Sequence, residues 1–175
     1  IINILLRIIS SKKNLDIKKI DHIKNLPLDY FNNHNIEFNR TNDYLNWRFF
    51  QNPHEYDFFK IDILGNYIGY VVFSQSFRNN KKALYIADIH LKNDYKNYVL
   101  PVIANILINK YDIKKYSFIG TWLSKKSIYW SKFSKLLFIS KKNIPFIVYS
   151  KLLPESFIKI DNKSIHFTLA DGDNV

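Results

Sequence analysis

Between residues 57 and 91 the chain carries three strand-like runs rich in β-branched and aromatic residues. Gly65-Asn66 separates the first run from the second, and Asn79-Asn80-Lys81-Lys82 separates the second from the third. Strand-like runs of this length broken by short Gly/Asn turns predict an antiparallel meander, with strands over 57–64, 67–77 and 83–91. From Asn97 onward the period becomes 3.6: Tyr98, Val99, Val102, Ile103, Ile106 and Leu107 fall on one face, with Asn97 as the expected N-cap and Pro101 inside the first turn. A strand over 116–121 follows, so the helix is expected to cross over and set a parallel neighbour beside the third meander strand.

Around this centre the expectations are a strand over 2–9 and a helix over 14–25. A second helix is expected over 41–50, capped by Thr41 or Asn42 and ended before Pro53. An amphipathic helix over 124–137 turns Ile128, Tyr129, Phe133, Leu136 and Leu137 inward, and strands over 144–150 and 165–169 complete the sheet. The fold class expected is α/β: one mixed sheet, an antiparallel three-strand meander followed by a β-α-β crossover, with helices on both faces. The 175 residues fit one domain, 1–175. There is no Met, even at position 1, and the chain is expected to be the C-terminal part of a longer protein.

Other classes are set aside on composition. The longest apolar run, 99–108, is half of the roughly 20 residues a membrane-spanning helix needs. With no cysteine there is no disulfide, thiolate metal site or cysteine nucleophile, and a cytoplasmic location is the default expectation. The net charge is +11, yet 26 Ile, 20 Asn and 22 Lys stand against only 4 Arg. Such a balance follows A/T-rich codons, and arginine is the residue that reads phosphates and guanines. Nucleic acid is therefore not expected as the partner.

Residue spacing then selects candidates for chemistry. Asp88 and His90 lie two apart on an expected strand and so share a face, a carboxylate beside an imidazole. The alternative has Asp88 satisfy buried main chain or Arg48, with His90 at an exposed strand end. Arg48 and Trp47 are the candidate substrate-binding pair, a guanidinium among aromatics that clamps an anionic group. Otherwise Arg48 makes a structural ion pair and Trp47 belongs to the core. Nine lysines and no acid lie between Ile113 and Pro154, with aromatics interleaved. Lys125 and its neighbours are candidates for an anion-attracting surface or a solvated face. Asp171 and Asp173 are read as a terminal turn, and His22, His34, His54 and His166 lack the spacing of a metal site.

The element order, together with Asp43-Tyr44-Leu45-Asn46-Trp47-Arg48-Phe49, Asn52-Pro53 and Tyr56, resembles the Gcn5-related N-acetyltransferases. It is closest in wording to a tandem-domain subgroup with a Leu-Asn-Trp-Arg motif. Gly69-Tyr70, Ile86-Ala87-Asp88-Ile89 and Asp171-Gly172-Asp173 look like the same subgroup, over roughly 40–175. The resemblance implies an N-acyltransferase using acetyl-coenzyme A or another acyl-coenzyme A, without a metal, on a small amine or amino-sugar acceptor, with a companion domain in the same protein. A non-catalytic binding or scaffolding domain beside an active twin is the alternative. By the same resemblance Leu91, Lys92 and Asn93 begin the loop that cradles the coenzyme's diphosphate, and Lys125 of the lysine-rich stretch is a candidate further contact for coenzyme A phosphates. That loop departs from the family: 91–97 contains no glycine, where main-chain amides usually approach phosphate. Aligning Leu136-Leu137-Phe138 puts Phe133 at the family's proton-donating tyrosine, which leaves Tyr129, one turn earlier, to serve instead.

Overall fold

The computed structural model describes residues 10, 14–28, 36–37, 40–78, 80–123, 127–134 and 165–166. Its centre is a five-stranded sheet. The strands are β1 (Leu15–Ile20), β3 (Tyr56–Ile63), β4 (Asn66–Arg78), β5 (Lys81–Leu91) and β6 (Phe118–Thr121), side by side in that order. A separate parallel pair joins β2 (Ile36–Glu37) to β7 (Ile165–His166). The helices are α1 (Asn42–Phe50), α2 (Val99–Lys110) and α3 (Trp130–Ser134), and 3-10 turns occupy Asn93–Tyr98 and Ile113–Lys115. The meander and the parallel β5–β6 pair reached through α2 agree with the expectation from sequence. No helix among the described residues is long and apolar enough to cross a membrane.

Each face of the sheet carries its own core. On one, Phe59, Ile61, Val71, Phe73, Leu84, Ile86, Ile89 and Leu91 pack with Val102, Ile103 and Ile106 of α2 and with Tyr129 and Phe133. On the other, Phe58, Tyr70, Val72 and Ala87 pack with Leu45 and Phe49 of α1 and with Ile23 and Leu26. Alternation along β3, β4 and β5 supplies both layers at once, which is why these strands read as nearly continuous apolar runs.

Several elements differ from expectation. The helix expected over 14–25 is the strand β1, antiparallel to β3. Leu15 and Ile17 pack on the α2-side core while Ile20 packs on the α1 side. The pairing supplies β3 with hydrogen-bond partners along an edge that a helix would have left open. The turn between β3 and β4 is Leu64-Gly65, one residue earlier than expected, with φ of 51° and 80°. Thr41, not Asn42, caps α1, accepting from Tyr44 N at 3.1 Å. Asn97 does not cap α2: the 3-10 turn precedes the helix, and the Asn97 side chain accepts from Lys132 Nζ at 2.8 Å. Ile165–His166 pairs with β2 rather than extending the five-stranded sheet. The elements expected over 2–9 and 144–150, the residues Asp171 and Asp173, and most of the helix expected over 124–137 lie outside the described residues.

The asparagines of α1 do structural work. Asn46 accepts from Ile23 N at 2.9 Å and donates to Ile23 O at 2.8 Å. Asn42 does the same to Leu26 at 3.1 and 3.3 Å. A primary amide carries one acceptor and one donor group, which is what a main-chain N–H and C=O require. The two side chains fasten segment 23–26 to the helix.

Candidate functional site

β5 pairs with β6 over four rungs, Ala83↔Phe118 to Ile86↔Thr121, and there β6 ends. β5 runs on for Ala87 to Leu91, and among the described residues no strand pairs with this stretch on that side. The ladder to β4 slips between Val72 and Phe73, so Ala87 is an extra residue on β5, a bulge. Ala87 and Asp88 both turn to the α1 face, and the alternation then resumes with Ile89 and Leu91 toward α2 and His90 toward α1. Opposite Leu91 stands Gly69, at φ of 150°. A Cβ there would lie 2.2 Å from the main-chain oxygen of His90, so only glycine permits β4 this close to the end of β5.

Lys92 N donates to Ile68 O at 2.8 Å. By the alternation of an antiparallel ladder, the N–H groups of Ile89 and Leu91 therefore point away from β4, toward the space β6 has left. Both meet side chains. Leu91 N donates to Tyr129 Oη at 2.9 Å, and Ile89 N donates to Asp88 Oδ1 at 2.9 Å. The Tyr129 hydroxyl also lies 3.4 Å from Leu91 O, with the ring buried in the α2-side core. Phe133, at the family tyrosine's aligned position, is buried in that core without a hydroxyl.

Asp88 is held on every side. Arg40 Nε and Nη2 donate to Oδ2 and Oδ1 at 3.0 and 3.2 Å, and Tyr70 Oη donates to Oδ2 at 3.0 Å. Asp88 is 1% and Arg40 5% exposed, so the pair is a two-pronged ion pair inside the protein. Burial, and then the Asp88 charge, push the Tyr70 hydroxyl well above its ordinary range, which keeps it protonated and donating. His90 is buried on the same face with its ring stacked on Tyr70, centroids 6.1 Å apart. Asp88 and His90 thus come together as their spacing predicted, through Tyr70. Two expectations are corrected: the cation on Asp88 is Arg40, not Arg48, and His90 is buried rather than at an exposed strand end. Arg40 carried no signal in the sequence, because its partner is 48 residues away.

The remaining candidates are spread out. Arg48 faces inward and is buried, and its charge partly offsets the burial that raises the Tyr56 hydroxyl. Trp47, one residue earlier and so about 100° around the helix, is 59% exposed beside Tyr44. Trp47 is therefore not core, and the two side chains do not form one clamp. Lys92 sets its ammonium 5.7 Å from the centroid of the Tyr67 ring. Asn93 is exposed at the start of the 3-10 turn, where Tyr95 N bonds back to Lys92 O at 2.8 Å. Lys125 lies outside the described residues. No group of metal-ligating side chains occurs among the described residues.

A thioester and a diphosphate make different demands on this site. The end of β5 that runs past β6, where the Leu91 N–H meets the buried Tyr129 hydroxyl, fits the acyl end of an acyl-coenzyme A. The loop does not fit a glycine-type phosphate cradle: every residue of 92–98 carries a side chain, the Lys92 and Tyr95 amides are bonded internally, and Asp94 adds a negative charge. The cations in and beside the loop are Lys92, Lys96 and Lys132, the last donating to Asn97.

No protein-family model matches the sequence, and no curated protein matches it. Solved structures do. A ribosomal-protein-alanine N-acetyltransferase from Brucella melitensis biovar Abortus 2308 superposes with a TM-score of 0.54 at 14% identity, over 78% of this chain and 99% of that one. An aminoglycoside acetyltransferase from an uncultured soil metagenomic sample, in complex with sisomicin, gives 0.51 at 13% identity, over 78% and 96%. A transcriptional regulator from Bacillus halodurans C-125 gives 0.55 at 6%, over 78% and 99%. At such identities the likeness is one of architecture. The chain has the fold of the Gcn5-related N-acetyltransferases.

Proposed function

We propose that the domain is an acyl-coenzyme A-dependent N-acyltransferase acting on a small amine or amino-sugar acceptor. The observation that carries this reading is the Leu91 N–H beside the buried Tyr129 hydroxyl, where β5 outruns β6. Acyl transfer to an amine needs a donor for the carbonyl oxygen as it gains charge, an acid for the departing group and a base for the amine. When bound, acyl-coenzyme A supplies the activated acyl group. Leu91 N–H is the donor. Tyr129 holds its proton at Oη beside that donor, in a dry core. His90, on the α1 face of the same strand, is the group to take a proton from the acceptor. Asp88 is spent on Arg40, Tyr70 and Ile89, and so acts as a positioning residue that fixes the bulge and the direction of the His90–Leu91 main chain.

The glycine-free loop favours a second reading. In it the domain binds or scaffolds without chemistry and supports an active companion domain of the same protein. Thiol release from acetyl-coenzyme A, followed over a panel of amino sugars and primary amines, separates the two. The enzyme reading expects turnover with at least one acceptor, a loss of about 10²–10⁴-fold in His90→Gln, and micromolar binding of acetyl-coenzyme A by calorimetry. No binding at millimolar acetyl-coenzyme A gives the chain to the second reading.

A further inference from the structure

The other end of β5 belongs to no site described so far. β3 stops pairing with β4 at Tyr56↔Ser74, and β6 begins only at Ala83, so the β4–β5 hairpin extends past both neighbours. Residues 75–78 and 81–82 form a two-stranded arm projecting about 13 Å beyond β3. Phe77 near its tip is 76% exposed, the most exposed large apolar side chain among the described residues. Lys82 pairs with Phe77 across the arm, and Lys81 is exposed beside it. At its base, Ser117 N donates to Lys82 O at 2.8 Å, which draws in the 3-10 turn carrying exposed Lys114 and Lys115. Phe118, 38% exposed, pairs with Ala83 at the same end. The arm's sequence 75–82 contains no acid; at its base lie Asp112, bridged to Lys115 at 3.9 Å, and, where β3 begins, Glu55 and Asp57.

We infer that this arm is a docking surface for an anionic lipid bilayer. A lone aromatic at a projecting tip, collared by lysines, suits the boundary layer: the ring enters among the acyl chains while the ammoniums meet headgroups. A second copy of the chain is disfavoured as the partner, since each copy carries +11. Arg78 also lies in the arm, opposite Lys81, so a nucleic acid is the competing occupant that the test separates. Leu91 stands ten residues along β5, about 30 Å away, so a docked arm leaves the candidate site facing the aqueous side. The inference does not depend on the acyl-transfer reading.

The test is co-sedimentation with vesicles of pure phosphatidylcholine and with vesicles in which one lipid in three is phosphatidylglycerol. Binding to the anionic vesicles alone is expected, weakening as salt rises. Lys81→Gln and Lys82→Gln should each weaken it about fivefold, Phe77→Ser about tenfold, and Phe77→Trp should tighten it. Phe77 and Lys81 are exposed, so their variants should keep the wild-type melting temperature. Lys82 is half-buried with its ammonium 5.1 Å from the Tyr116 ring centroid, and Lys82→Gln is compared at matched stability. Three results overturn the inference: no sedimentation with anionic vesicles, binding indifferent to Phe77→Ser, or retention of a single-stranded oligonucleotide by a chain that ignores vesicles.

Discussion

Two ion pairs in this molecule use the same chemistry and do different work. Arg40–Asp88 lies inside the protein, at the bulge that ends the regular part of β5, with Tyr70 and Ile89 completing the carboxylate's partners. Lys18–Asp16 lies on the edge strand β1, at 2.7 Å, with both side chains more than half exposed. The shorter pair is the weaker contributor, because water screens it and two long side chains lose freedom to form it. The buried pair is not a net gain over apolar packing either, but half of it cannot be removed without leaving a charge in the dark. Burial, rather than distance, decides which pair holds the end of β5 in shape.

The largest expected effect comes from breaking the buried pair. Arg40→Met should cost about 3–5 kcal/mol, read by urea unfolding, while Lys18→Gln should leave the unfolding curve where it is in wild type. Equal costs for the two would end the comparison. The next effect is with pH. Burial, as the first cause, raises the hydroxyls of Tyr67, Tyr70 and Tyr111 above their ordinary range, with Asp62, Asp88 and Asp57 beside them. In the unfolded chain these groups ionise near pH 10, whereas in the folded chain they stay protonated. Their contribution is therefore whole below pH 10 and is lost as pH rises beyond it, by up to about 1.4 kcal/mol per pH unit for each tyrosine. Melting followed from pH 9 to 11 should turn steeply downward above 10, and Tyr70→Phe should flatten the slope by one tyrosine's share.

A smaller effect of opposite sign is expected at Leu64, which sits at φ of 51° in a two-residue turn and is 75% exposed. A β-carbon in the left-handed region costs roughly 1–2 kcal/mol. Leu64→Gly should therefore raise stability by about 1 kcal/mol, measured by the urea midpoint, unlike either ion-pair substitution.

What the sequence disclosed follows a similar division. The meander was legible because its signals are local: runs of β-branched and aromatic residues with short Gly/Asn turns between them. The crossover was legible because 98–107 holds a helical period long enough to be distinguished from a strand. β1 was not, since Leu15, Ile17, Ile20 and Ile23 satisfy a helical spacing as well as a strand, and the edge of β3 decides between them. Asp88 and His90 could be paired from their spacing, but Arg40 could not be added, because nothing near residue 40 announces a carboxylate on another element. Of the two readings of Trp47, the core one fails, because α1 turns Leu45, Arg48 and Phe49 to the sheet and leaves Trp47 on the far side. Tyr129 rested on resemblance alone, and its hydroxyl meets Leu91 across 38 residues.

The central claim is that Leu91 N–H, now bonded to Tyr129, is the donor that receives an acyl oxygen. The most direct measurement is the amide resonance of Leu91 in isotope-labelled protein as acetyl-coenzyme A is added. The account predicts that this signal shifts with saturable, micromolar dependence, and that it does so from a different starting position in Tyr129→Phe. A Leu91 amide that stays still at saturating acetyl-coenzyme A, while amides elsewhere move, would contradict it.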